Sequence, residues 1–246
     1  MKLQSFKVCY IVFLVLILAP VSSFGKTIPL NRGWITVIID PVFNGEPLKM
    51  ADQLYVNEHG DTIYIDLFRF YITNMRLSSE STTVSDTVSH LVDAEDEASA
   101  TFHINNVPAG SYTSLQFTVG VDSITNTSGA NGGDLDPAKG MYWVWNSGYI
   151  MAKLEGHSRV CKTLHHAFEF HIGGYMPPFN AARLVNVKLS HPVVVLNGCN
   201  TIVRLKADVA AWFKGNLDLS KLNSVVIPGK EANIIADNYA QMFSVE

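Results

Sequence analysis

The stretch "DTIYIDLFRFYITNMRL" (residues 61–77) is rich in β-branched and aromatic residues and contains neither Pro nor Gly. That composition belongs to a strand. Its period is two, but the phase does not hold. Ile63, Ile65 and Leu67 occupy one parity, while Tyr64, Phe68, Phe70 and Ile72 occupy the other. Two readings fit: both faces of the strand are partly covered, or a bulge shifts its register.

The pattern continues outward. "WITVIID" (34–40), "HLVD" (90–93) and "HAFEFHI" (166–172) read as strands. In "ATFHINNVPAGSYTSLQFTVGVD" (100–122), two strands flank a Pro-Ala-Gly turn. "SESTTVSDTVS" (79–89) reads as a polar loop or exposed hairpin, and "SITNTSGANGGDLDP" (123–137) as a loop. "VNVKLSHPVVVLN" (185–197), with Pro192 marking an edge or bulge, and "TIVRLKADVAAWF" (201–213) add further strands. In "KEANIIADNYAQMF" (230–243), Ile235, Tyr239 and Met242 fall near helical spacing. Many short strands without βα alternation predict an all-β fold: an antiparallel β-sandwich, one domain, with a short C-terminal helix.

Of the 246 residues, 48% are hydrophobic and 16% charged, with formal net charge −4. That is enough for one core, and nothing is basic enough for nucleic acid. The chain opens with Lys2 and Lys7, a short apolar run, and "SSFG". This is the pattern of a signal peptide over 1–25, leaving a domain over 26–246. The apolar run is short for a span, so no stable membrane insertion is expected after cleavage. A periplasmic or otherwise extracytoplasmic location follows. Cys9 leaves with the leader. Cys161 and Cys199 remain in an oxidising compartment, and are expected to form a disulfide.

No nucleophile elbow, Walker loop, HExxH or zinc-finger spacing is present. A missing motif does not exclude a hydrolase triad, but no Ser or Cys stands in a context that suggests activation, and the leading expectation is a binding protein, not an enzyme in its own right. Chemistry concentrates in two places. "GGDLDPAKGMYWVWNSGYIMAKLEG" (132–156) sets Met141, Trp143 and Trp145 on one parity, directly after a turn-rich loop. Intact indole cannot ligate a metal through nitrogen, since its N–H only donates. "LHHAFEFHIGG" (164–174) puts His165, Glu169 and His171 on one face of an ideal strand and His166, Phe168 and Phe170 on the other. With the Phe pair inward, His171 faces out, and the following Gly pair admits close approach of a neighbour. Asp122, Asn131, Asp134 and Asp136 are hard oxygen donors in a spacing unlike an EF-hand. Trp143, Trp145 and Tyr149 would alternatively form an exposed stacking platform for a glycan or a protein.

"GVDS" (120–123), "LDPAKGMYWVWNSGYIMAKLEG" (135–156), "FEFHIGG" (168–174), "FRFYITNMRL" (68–77) and "HLVD" (90–93) together resemble the MbnP-like copper-binding family. The resemblance spans roughly residues 34–213. It implies an exported β-sandwich that binds copper through histidines and a kynurenine. The kynurenine is made from a Trp by a partner di-haem enzyme related to cytochrome c peroxidases. On that resemblance His171 and His90 are the expected ligands; Met141, a soft thioether on the Trp face, is a weaker candidate, and His59, His165 and His166 are reserves. Either Trp143 or Trp145 is the expected precursor. The chain carries no C-x-x-C-H for attaching haem, so the oxidant would come from the partner.

Overall fold

One long strand organises the molecule. The computed structural model describes residues 31–245 apart from Ser147, Lys188 and Asn216; the expected signal peptide lies outside the described residues. In chain order the main elements are β1 (Arg32–Phe43), β2 (Thr62–Ser78), β3 (Thr83–Asp86), β4 (His90–Asp93), β5 (Thr101–Pro108), β6 (Ser114–Val119), α1 (Ser123–Thr127), β7 (Tyr142–Trp143), β8 (Gly148–Ser158), β9 (Ala167–Gly173), β10 (Arg183–Val187), β11 (Asn200–Asp208), α2 (Lys230–Tyr239) and β12 (Phe243–Val245).

Strand β2 resolves its ambiguous phase with two bulges. Opposite β8 the register slips between Leu67 and Ile65, leaving Asp66 as the extra residue. Opposite β6 it slips again between Thr73 and Arg76, where Asn74 takes a positive φ of 52°. The core-facing parity switches at each slip. Ile63 and Ile65 face in, then Phe68, Phe70 and Ile72, then Met75 and Leu77, all at most 1% exposed. Tyr71 and Thr73, on the opposite face, are buried as well. Both sequence readings therefore hold, each over a different part of the strand.

Arg69 and Phe70 pair with β8 on one side and β4 on the other, and Ile72 pairs with β4 and β6. Strands β8 and β6 thus lie end to end along the same side of β2, with β9 beyond β8 and β10 beyond β6. The facing sheet runs β12–β11–β1, with β5 on the far side of β1. The two sheets form the expected sandwich. Pairing is antiparallel throughout these strands except for β1 with β11, which run parallel from Trp34↔Asn200 to Val42↔Asp208. Phe243 closes the middle, its ring edge-on to Phe70 at 5.7 Å and Phe117 at 4.8 Å. The C-terminal helix is present as α2, seating Ala232, Ile235, Ala236 and Tyr239 in the core. Segment 209–213, read as strand, turns instead into a 3-10 helix that buries Trp212 and Phe213.

The expected Cys161–Cys199 disulfide is absent: both thiols are free. Cys161 is buried beyond the end of β8, hydrogen-bonded through its N–H to Ser158, which pairs with Ile63. That end of the sandwich also holds Tyr55, paired with Ile63 and stacked on Phe43 at 4.3 Å. Cys199 is exposed beside Trp34, at the opposite end of β1. From Trp34 to Phe43 the strand runs roughly 30 Å, whereas a bridge needs Cα atoms within about 7 Å. Even number and export do not constrain where two cysteines sit.

At the first bulge β8 presents Gly156, where a Cβ would collide with the Tyr64 carbonyl and the Phe168 ring. Gly156→Ala should destabilise the protein by about 2 kcal/mol, within the range for overpacked cores. Urea denaturation compared with wild type checks this.

Candidate metal centre

Because β6 ends where β8 begins, the chain between them leaves the sheet at Gly120 and returns to almost the same point. This excursion, residues 120–146, covers the outer face of β2. It is pinned at its start by Gly120 N–H to the Tyr71 carbonyl at 2.9 Å and by Thr73 Oγ1 to the Gly120 carbonyl at 2.8 Å. Asp122 caps α1 by accepting from Thr125 N–H at 2.9 Å. Asn126 ties both ends together, donating to the Val121 carbonyl at 2.8 Å and accepting from Tyr149 N–H at 2.8 Å. Tyr71 donates to the Asp134 carbonyl at 3.1 Å and Tyr149 to the Leu135 carbonyl at 3.0 Å. Burial beneath the loop pushes the Tyr71 phenol well above its ordinary range, with Tyr149 and Asp134 adding to the effect.

The loop's carboxylates are committed to this architecture. Asp134 Oδ1 pairs with Lys139 at 2.6 Å and its Oδ2 accepts from Leu91 N–H at 3.0 Å. Asp136 accepts from Ala138 N–H at 2.9 Å. No group of three His, Cys, Asp or Glu able to hold a metal occurs among the described residues, so the loop does not form the calcium cradle its composition allows.

The Trp pair divides. Met141 is fully buried and Trp143 is 6% exposed, but Trp145 is 62% exposed. Strand alternation fails after Trp143 because β7 ends there and residues 144–146 turn back into β8. The two indoles stay in contact, centroids 5.3 Å apart and tilted 40°. Tyr149 is buried, so the platform of Trp143, Trp145 and Tyr149 does not exist; Trp145 alone presents its ring.

Trp143 lies on Gly173. A Cβ there would strike the six-membered part of the indole. Gly173 stands two residues beyond His171 on β9, on the same face, about 7 Å along the strand. Trp143 therefore lies over the same-face position of β9 next after His171. His171 Nε2 meets Glu155 Oε1 at 2.7 Å, and Lys153 Nζ reaches the same oxygen at 3.0 Å. Burial holds the His171 imidazole below its ordinary pKa; the Glu155 bond opposes this and the Lys153 charge reinforces it. Burial works to raise Glu155, but its bonds to Lys153 and His171 prevail and hold the carboxyl below the usual range.

His90 is not part of this cluster. In the row crossing β9, β8, β2 and β4, His171, Lys153, Arg69 and Asp93 are in register on the outer face. His90, paired with Ile72, points inward and stacks on Phe102 of the facing sheet at 3.9 Å. The two histidines project from opposite faces and stand three strand spacings apart, about 14 Å, so the expected shared ligation by His90 and His171 is not met. His90 instead plugs the edge of the sandwich, with Nε2 on Asp86 Oδ2 at 2.7 Å. His165 and His166 are exposed in a turn ahead of β9, both at positive φ, so the strand parity read for them does not apply. His59 is exposed at a hairpin. The residues that sequence reading missed are Glu155 and Asn126. Glu155 shares its parity with Lys153 on β8, but only pairing with β9 brings it to His171.

A family model described as MbnP matches residues 32–228. Among solved structures the chain is similar to MbnP from Methylosinus trichosporium, at 14% identity and a TM-score of 0.54, covering 81% of this chain and 83% of that one. At that identity the likeness is one of fold. No curated protein matches.

Two measurements follow from this geometry. Gly173→Ala should displace Trp143, raising its fluorescence quenching by acrylamide while Trp145 stays accessible in both forms. Asp86 is held below the usual carboxylate range: burial would raise it, but the bonds from His90 and Val88 N–H outweigh that. Its contribution to stability is therefore complete above the unfolded value of about 3.9 and lost as pH falls through the lower native value. Asp86→Asn should cost about 1–2 kcal/mol at pH 7, and the gap from wild type should close below about pH 4, read from denaturation midpoints across pH.

Proposed function

The chain belongs to the MbnP family, and we propose on that basis that it is an exported copper-binding protein, not an enzyme, with His171 as a ligand and Trp143 as the precursor of another. One observation carries the reading: Trp143 lies on Gly173, beside His171 on the same face. A neutral imidazole suits copper, and burial lowers the His171 pKa from its ordinary value. The unmodified residues offer this spot one imidazole and an indole that cannot ligate. The set becomes adequate once Trp143 is opened to kynurenine, whose aryl amine and ketone are donor groups.

The proposed partner is a di-haem cytochrome c peroxidase-like enzyme in the same extracytoplasmic compartment. Trp145, exposed and in contact with Trp143, is the ring such an oxidant would meet first. No helix among the described residues is long and apolar enough to cross a membrane.

Protein from its native host should carry about 4 Da of added mass on the peptide spanning residues 140–153, reflecting one carbon lost and one oxygen gained, localised to Trp143 by fragmentation. In competition with a Cu(I) chelator, His171→Ala should weaken binding by more than about 10-fold, while His90→Ala leaves it unchanged. Native protein with two intact tryptophans and tight copper binding would overturn the kynurenine part. Equal affinity in wild type and His171→Ala would overturn the site.

A further inference from the structure

The sequence holds three Asn–Gly bonds, at 44–45, 131–132 and 197–198. All three carry the groups for self-cyclisation. Glycine has no Cβ, so its backbone nitrogen can approach the side-chain Cγ of the preceding Asn. The nitrogen bonds to Cγ, the Cγ–Nδ2 bond breaks, and ammonia leaves with the Gly N–H proton. One water then opens the five-membered imide. Cleavage at Cγ yields Asp; cleavage at the backbone carbonyl carbon yields isoaspartate, with the chain rerouted through the side chain. The reaction takes only water, but it needs a free Asn amide and a free Gly N–H.

The fold grants that freedom unequally. At 197–198, Gly198 N–H donates to the Arg32 carbonyl at 2.8 Å, and Asn197 Oδ1 accepts from Arg32 N–H at 3.2 Å. At 131–132, Asn131 Nδ2 donates to the Gly129 carbonyl at 2.8 Å and to Ser128 Oγ at 3.2 Å. At 44–45 neither group is held. Asn44 and Gly45 are the exposed centre of a hairpin closed by Phe43↔Glu46, with φ of 52° and 84°. Positive φ at both positions is the pattern of a type I′ turn. Among the described residues neither the Asn44 side-chain amide nor the Gly45 N–H has a hydrogen bond. No atom lies within 4 Å of where a Cβ on Gly45 would stand. The turn is anchored instead through Asn44 N–H, which donates to Asp208 Oδ1 at 2.9 Å. That same oxygen accepts from Ala210 N–H at 3.0 Å and so caps the 3-10 turn that buries Trp212 and Phe213.

We propose that Asn44 is a self-modification site. In the folded protein it cyclises onto Gly45 and hydrolyses to Asp and isoaspartate ahead of Asn131 and Asn197, and the carboxylate so formed weakens the cap at Asp208. A negative charge arrives on the residue whose N–H Asp208 accepts. In the isoaspartate form the backbone also gains a methylene, in a turn whose length sets the hairpin.

Folded protein held at mildly alkaline pH should gain about 1 Da first on the peptide carrying Asn44, and an isoaspartyl methyltransferase should label that peptide. Asn131 and Asn197 should lag by about 10-fold or more, because one or two net hydrogen bonds must break before either can cyclise. In denaturant the three bonds should convert at similar rates. The urea midpoint of wild type should fall as Asn44 converts. Asn44→Gly keeps a residue suited to the turn and cannot cyclise, so its midpoint should hold over the same period. Asn131 or Asn197 converting as fast as Asn44 in the folded protein would overturn the site. Full conversion at Asn44 with an unchanged midpoint would overturn the link to Asp208.

Discussion

A strand buried on both faces has to be covered twice. Residues 68–73 of β2 bury Phe68, Phe70 and Ile72 against the facing sheet, and Tyr71 and Thr73 on the reverse. The sandwich supplies the first cover. The second is the excursion between β6 and β8, and its placement follows from where those strands stop. Two hydroxyls, Tyr71 and Tyr149, are buried by it, and each needs an acceptor; the loop carbonyls of Asp134 and Leu135 provide them. The Trp segment is the returning limb of this cover. The candidate site is thus a by-product of a packing requirement: once the loop must lie over β2, its last turn arrives over β8 and β9, where Gly173 leaves room for an indole.

Much of this was legible in the chain. Residues 61–77 offered two readings, a bulge or double coverage, and both occur. The strands at 90–93 and 166–172, the outward face of His171 and the C-terminal helix followed from period and turn chemistry; the strand read over 185–197 instead breaks ahead of Pro192 into Arg183–Val187 and Val193–Val195 of different sheets. The close approach admitted by Gly173 was also readable; what would fill it was not.

Two of the failures share a physical cause: each concerned distance between segments remote in sequence. Two cysteines in an exported chain form an even pair, yet β1 runs the length of the sandwich between their neighbourhoods. His90 and His171 both lie on short strands, but a one-residue difference in parity sends one imidazole between the sheets and the other outside. Trp145 kept the parity of Trp143 on paper, while the strand carrying it had already ended. Alternation reports a face only while the ladder lasts.

The excursion leaves and rejoins the sheet at neighbouring points on β2, held by Gly120 at one end and Asn126 to Tyr149 at the other. For a loop whose ends are already together, doubling the length adds only about 0.6 kcal/mol of closure entropy. Lengthening of this segment at its exposed turns therefore costs the sandwich little, while its buried residues Val121, Asn126, Leu135, Met141 and Trp143 stay part of the packing. The limb that carries Trp143 is thus joined to the strands by contacts at its two ends, so that its exposed turns can vary in length without re-registering the ladder.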